Sequence, residues 1–318
     1  MSSEEDKQHY ASKVLYYKRL ENNRWMSDDF RRQLRKGRRA DRALDDEITK
    51  GAKSGSRIKV IVCGPVVEKY EYTVPVQTGK KTIIFDPETG EVLNGGRTKQ
   101  VELNPETGEI VKIDRKPEAK RTNARRSKMN LRRLVLANFS NMDKFVTLTF
   151  RDGTVQDVTN VLECNKEFDK FLKRLRREYG DFKYCRVVEF QDANNRGAIH
   201  YHCILTLPYV PYEKLGHLWR NGFVGINAID KVDNVGAYIQ KYMTKDFNDD
   251  RLAGKKAFST SQNLDKPIIL HGREAYQLAE KYLEDKEKVF ANSYDSEHHG
   301  LISYSEYNMN RGESDRTL

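Results

Sequence analysis

The chain has 318 residues and a net charge of +10, from 57 Lys and Arg against 47 Asp and Glu. Its hydrophobic share is 37% and its charged share 33%, so about two domains' length must share a lean core; the 10% of aromatic residues argues against a wholly disordered chain. No run approaches the roughly 18 to 20 apolar residues of a membrane-spanning helix, and Cys63, Cys164, Cys185 and Cys203 form no CxxC pair, which excludes a disulfide scaffold and a thiolate zinc site.

The basic balance points to a polyanionic partner, either nucleic acid or an anionic membrane surface. The start, MSSEEDKQHY, is polar with no apolar segment behind it, which leads to the expectation of a soluble cytoplasmic protein. Asp28 to Arg42 carries seven basic and three acidic residues. It is expected to be a solvated or disordered arm, or an arm that binds nucleic acid. RIKVIVCG from Arg57 and the following VVEKYEYTVP are strands, broken by Gly64-Pro65 and by Pro75. DPETGEV at Asp86 and NPETGEI at Asn104 repeat the same turn chemistry and predict two hairpin tips. Arg115 to Arg133 holds a single acid, Glu118, and is expected to be a linker or a helical arm along phosphates.

From Phe145 the pattern becomes regular. FVTLTF alternates as a strand, and the segment from Glu163 places Phe168, Phe171, Leu172, Leu175 and Tyr179 at helical spacing before Gly180. KYCRVVEFQ, the turn DANNRG and AIHYHCIL predict a hairpin. YEKLGHLWRNG predicts a short helix, FVGINAI a strand, and the segment from Val235 to Lys245 another helix. Strand, helix, strand, strand, helix, strand is the split βαβ order: an α+β fold with an antiparallel sheet and helices on one face. After Asp250 come KKAFSTS, a helix near Arg273 to Leu283, and two further strand-like runs. The expected domains are a charged arm (1–56), a β-rich accessory region with a basic linker (57–140), the split βαβ domain (141–250), C-terminal accessory strands and helix (251–310) and a frayed tail (311–318).

Chemistry concentrates in the split βαβ domain. On a strand, His200 and His202 project to one face about 7 Å apart, with Tyr201 and Cys203 on the other. Such a pair is either a pair of ordinary polar-face histidines or two ligands of one divalent cation. Glu189, opposite them in the hairpin, is the candidate third ligand, or else one half of a salt bridge. Gln191 shares its face and could support the site. Tyr238 and Tyr242 lie four apart on one predicted helix face, each followed three residues later by a lysine, Lys241 and Lys245. A tyrosine stripe at that spacing is a core stripe, or else it supplies a phenol that attacks a phosphodiester with an ammonium beside it.

FVTLTF, then VVEFQ before IHYHCIL, then NVGAYIQKYMTKD together resemble the rolling-circle replication initiators of bacterial plasmids, phages and integrative elements, within the HUH endonuclease superfamily. The resemblance covers about Met142 to Asp250 and extends weakly to RIKVIVCGPVVEKYEY and to the tail. It implies that His200, His202 and Glu189 bind Mg2+ or Mn2+, that Tyr238 is the nucleophile and Lys241 its helper, and that Tyr242 is a second nucleophile or packing. Thr147 and Thr149 are then structural or close to DNA. The implied function is nicking and strand transfer on single-stranded origin DNA through a 5′-phosphotyrosine, with host helicase and DNA polymerase as partners and no membrane. A transposase or relaxase of the same chemistry, or a non-enzymatic RRM-like nucleic-acid-binding module, is the alternative. The chain lacks GxxxxGK[ST], so helicase activity is expected from the host.

Overall fold

A computed structural model describes residues 25–30, 55–77, 101–103, 110–112, 116–140, 143–192, 196–229, 249–252, 255–256, 258–296 and 299–311. Its described strands are β1 (Gly55–Cys63), β2 (Val66–Gln77), β3 (Val101–Leu103), β4 (Ile110–Lys112), β5 (Lys144–Thr149), β6 (Tyr184–Gln191), β7 (Ala198–Leu205), β8 (Val224–Ala228), β9 (Phe258–Thr260), β10 (Ile268–His271), β11 (Lys288–Ser296) and β12 (Gly300–Asn308). The helices are α1 (Lys116–Asn138), α2 (Val161–Tyr179), α3 (Tyr212–Trp219) and α4 (Gly272–Tyr282). No described helix is long and apolar enough to cross a membrane.

The split βαβ expectation is met. β5-α2-β6-β7-α3-β8 forms an antiparallel sheet in the order β8-β5-β7-β6, and β9 adds a fifth strand at the β6 edge. The helix α2 starts where the Asn160 side chain accepts hydrogen bonds from the backbone N–H of Leu162 and Glu163, and it stops at Gly180 with φ of 71°. Its apolar stripe of Cys164, Phe168, Phe171, Leu172 and Leu175 meets Leu148, Phe150, Val188, Ile199, Tyr201 and Trp219 in the main core. Gly222 ends the α3 turn hard against β5, where any Cβ would collide with the Thr149 carbonyl.

A second antiparallel sheet runs β10-β1-β2-β12-β11. Strands from both sides of the split βαβ unit therefore share one sheet. One of its faces packs on α4, and Met26 and Phe30 join that core, so this part of the N-terminal arm is docked. β2 continues through Pro75. The register with β1 shifts between Ser56 and Ile58, leaving residues 72–75 opposite Arg57 in a bulge where the missing proline N–H breaks no bond to β1. β3 and β4 pair antiparallel around the expected NPETGEI tip; that tip and the DPETGEV tip lie outside the described residues.

The basic segment from Arg115 to Arg133 is helical from Lys116, with Pro117 in the first turn. Its C-terminal half wedges between the two sheets. Leu131, Val135 and nearby Phe139 meet Phe145, Cys185, Val187 and Ile204 of the first sheet, and Leu136 meets Ile61, Cys63 and Val66 of the second. Arg132 and Arg133 close on Glu68, which is fully buried, at 3.0 and 2.7 Å, and Arg132 also reaches Glu306 at 2.6 Å.

Candidate functional site

The first sheet has two unlike faces. α2 and α3 cover one. On the other, α1 covers the lower part, and above it lie Thr147 and Thr149 from β5, Glu189 and Gln191 from β6, and His200 and His202 from β7, all but the threonines on the central hairpin. As the alternation predicts, Tyr201 and Cys203 point the other way and are fully buried. Tyr201 donates its hydroxyl hydrogen to Asn165 at 2.9 Å and carries the Arg186 guanidinium 4.5 Å above its ring.

Glu189 is registered opposite His200, and Val187 opposite His202. The Glu189 carboxylate nevertheless contacts Nε2 of His202. The other ring nitrogen of His202, Nδ1, lies 3.1 Å from the Thr147 hydroxyl. Phe145 stacks on the same imidazole at 5.8 Å and an interplanar angle of 12°. His202 is thus held on three sides, and its side chain and that of Glu189 are 14% and 18% exposed. Among the described residues none hydrogen-bonds to the His200 ring. Burial lowers the His200 pKa from its ordinary value against the opposing pull of Glu189, which favours the neutral, ligating imidazole.

Two imidazoles and a carboxylate are a donor set suited to a divalent ion. Among the described residues, however, no group of three or more His, Cys, Asp or Glu stands gathered for one: Glu189 is turned onto His202. Donor type fits a metal, while the present arrangement satisfies the carboxylate by an imidazole. Tyr238, Lys241 and Tyr242 lie outside the described residues.

The two anchors that flank this tyrosine segment are defined. Before it, Ile229 is buried against the α1-covered core and its N–H bonds to the Asp143 carbonyl at 3.3 Å. After it, Arg251 grips Asp192 at the end of β6 through two hydrogen bonds of 2.7 and 2.9 Å, binds Asp249, and lies 3.9 Å over the Phe190 ring. Thr147, Phe145 and Arg251 are thus roles that motif spacing alone did not assign. The alternation of FVTLTF already put Phe145 and Thr147 on one face; no local signal pairs Arg251 with Asp192, 59 residues away.

Residues 143–247, about a third of the chain, match the family model for replication-associated proteins of the ORF2 type. The match begins at the strand carrying Thr147, includes the whole hairpin with His200, His202 and Glu189, and supports a role in the initiation of DNA replication. No curated protein and no solved structure matches the chain.

Proposed function

We propose that the chain is a rolling-circle replication initiator that nicks single-stranded origin DNA and rejoins it through a tyrosine adduct. The observation that carries this reading is the pairing of His202 with Glu189, beside a half-buried His200, on an uncovered sheet face inside the stretch matched by the replication-associated family. Ordinary packing does not account for two imidazoles and a carboxylate together in an otherwise β-branched and aromatic hairpin.

His200, His202 and Glu189 are the residues that would hold Mg2+ or Mn2+. When bound, the ion supplies Lewis-acid polarisation of a phosphate oxygen. Thr147 and Phe145 fix the orientation of the His202 ring. The Tyr238 phenol oxygen attacks phosphorus, the bond from phosphorus to the 3′ oxygen breaks, and the phenol proton is lost as the leaving 3′ oxygen gains one. The products are a 5′-phosphotyrosine and a free 3′-OH that primes a host polymerase, with unwinding left to a host helicase in the bacterial cytoplasm. Lys241 favours the phenolate and offsets the negative charge that develops at phosphorus. Tyr242 is placed by its spacing to cut the regenerated origin while Tyr238 holds the first end.

The test is incubation with candidate origin oligonucleotides and separation on a denaturing gel. Wild type forms a covalent adduct that EDTA abolishes and Mn2+ restores, and Tyr238→Phe forms none while binding the oligonucleotide. An undiminished adduct from Tyr238→Phe refutes the assignment. Calorimetric titration of Mn2+ into the protein without DNA checks the ligand set independently: His200→Ala and His202→Ala each weaken binding.

A further inference from the structure

The second sheet presents a face that the proposed nicking site does not use. β2 turns Glu68, Tyr70 and Tyr72 towards it, β12 places Tyr304 and Glu306 directly beside them, and β11 adds Phe290, Asn292 and Tyr294. The C-terminal half of α1 covers the base of this face. Beyond it lies a cleft of about 730 Å³ with Tyr70, Tyr304, Phe290 and Tyr294 among its lining residues, together with Arg125 and Arg311.

The rings form a continuous floor. Tyr70 and Tyr72 are parallel within 8° at 6.4 Å, Tyr304 lies 4.8 Å from Tyr70, and Phe290 5.9 Å from Tyr304. Towards the edge strand they become open: Phe290 is 51% and Tyr294 42% exposed. Large aromatic side chains left this accessible on one sheet face are a binding feature rather than a packing one. The cleft is also electropositive. Among its described lining residues the one acid, Glu306, is paired with Arg132 at 2.6 Å, while Arg125 is exposed on a helix face that continues through exposed Arg121 and Arg126.

We propose that this cleft binds single-stranded DNA, with bases stacked on Phe290 and Tyr294 and phosphates held by Arg125 and Arg311. Every base has a π-face, so stacking of this kind accepts any sequence, and guanidinium groups along the rim supply the matching charge. A duplex keeps its base faces covered and gains nothing from the exposed rings. An acidic or purely apolar protein surface would use only half of the cleft, its charge or its rings. The inference goes beyond the nicking reading, because it separates a surface that holds the strand from the face that carries the histidines.

The experiment is fluorescence anisotropy of the full chain with a fluorescein-labelled oligothymidylate across a salt series. The double variant Phe290→Ala/Tyr294→Ala is expected to lose at least about tenfold in affinity, whereas Phe290→Tyr/Tyr294→Phe, which keeps both rings, stays near wild type. Arg125→Gln lowers the slope of log affinity against log salt by about one. Circular dichroism melting establishes that each variant folds, and Phe290→Leu/Tyr294→Leu repeats the test with apolar bulk retained should the alanine pair not fold. Unchanged affinity in the folded ring-deleted variants overturns the proposal, as does equal competition by a duplex of the same length. So does a shift from dimer to monomer in light scattering with DNA affinity intact, which would make the face an interface between copies. Absence of the tyrosine adduct under all conditions with ring-dependent oligothymidylate binding would end the nicking reading and leave this one standing. Adduct formation with binding indifferent to Phe290 and Tyr294 would do the reverse.

Discussion

Glu189 stands across the ladder from His200, yet its carboxylate reaches diagonally to Nε2 of His202, whose Nδ1 faces the Thr147 hydroxyl. Three neighbouring strands, β5, β6 and β7, therefore define the orientation of one imidazole. The Thr147 contact is the one that can be removed with little change in volume. Thr147→Val is expected to weaken Mn2+ binding by about tenfold, the range found when the partner of a ligating histidine is lost. Calorimetric titration measures it, and a melting curve close to wild type shows that the sheet is intact.

Arg251 joins the chain after the tyrosine segment to the tip of the β6–β7 hairpin through Asp192, Asp249 and the Phe190 ring. The guanidinium is more than a third exposed, so its ion pairs contribute at most about 1 kcal/mol to global stability. Its effect on the tyrosine segment is local. Arg251→Ala should slow adduct formation several-fold and increase proteolytic cleavage between residues 229 and 249, with only a small change in thermal midpoint. Arg251→Lys should restore little, because an ammonium cannot reproduce the two-pronged contact with Asp192.

Glu68 is fully buried between Arg132 and Arg133 of α1 and also accepts a hydrogen bond from the Tyr70 hydroxyl at 3.1 Å. Glu68→Gln leaves two guanidinium groups in a dry site with one neutral partner. The expected loss is about 3 to 5 kcal/mol, the typical effect of breaking a buried ion pair from one side. Urea denaturation would measure it. A loss below about 1 kcal/mol would mean that α1 is held to the second sheet by apolar contacts alone.

All four cysteines are free and buried. Burial pushes the thiols up, to about 12 for Cys164 and Cys185 and higher still for Cys63 and Cys203. The thiolate is the reactive form, so the folded protein at about pH 8 should resist iodoacetamide, and all four thiols should react once it is denatured. Mass spectrometry of the alkylated protein reads both states.

Local pattern carried much of the split βαβ unit. Alternation in FVTLTF and IHYHCIL set the faces, and Asn160 and Gly180 bounded α2, because these signals act within a few residues. The second sheet was not legible in the same way: β1 and β2 pair with β10 and β12 across some two hundred residues, and nothing in a strand's own sequence names so distant a partner. The basic run to Arg133 concealed a change of role. Arg121 and Arg125 are exposed as its charge suggests, while Arg132 and Arg133, in the same run, are turned into a buried carboxylate. At the site, the histidine face was legible and its diagonal contact was not, since side-chain reach across strands depends on rotamers that spacing does not record.

The most direct measurement of the central claim is mass spectrometry of the peptide left attached to DNA after reaction with a single-stranded origin fragment, for wild type and for His202→Ala. The account predicts a phosphotyrosine link at Tyr238 in the wild-type protein and none in the variant. A link at another residue, or an equal yield from His202→Ala, would contradict it.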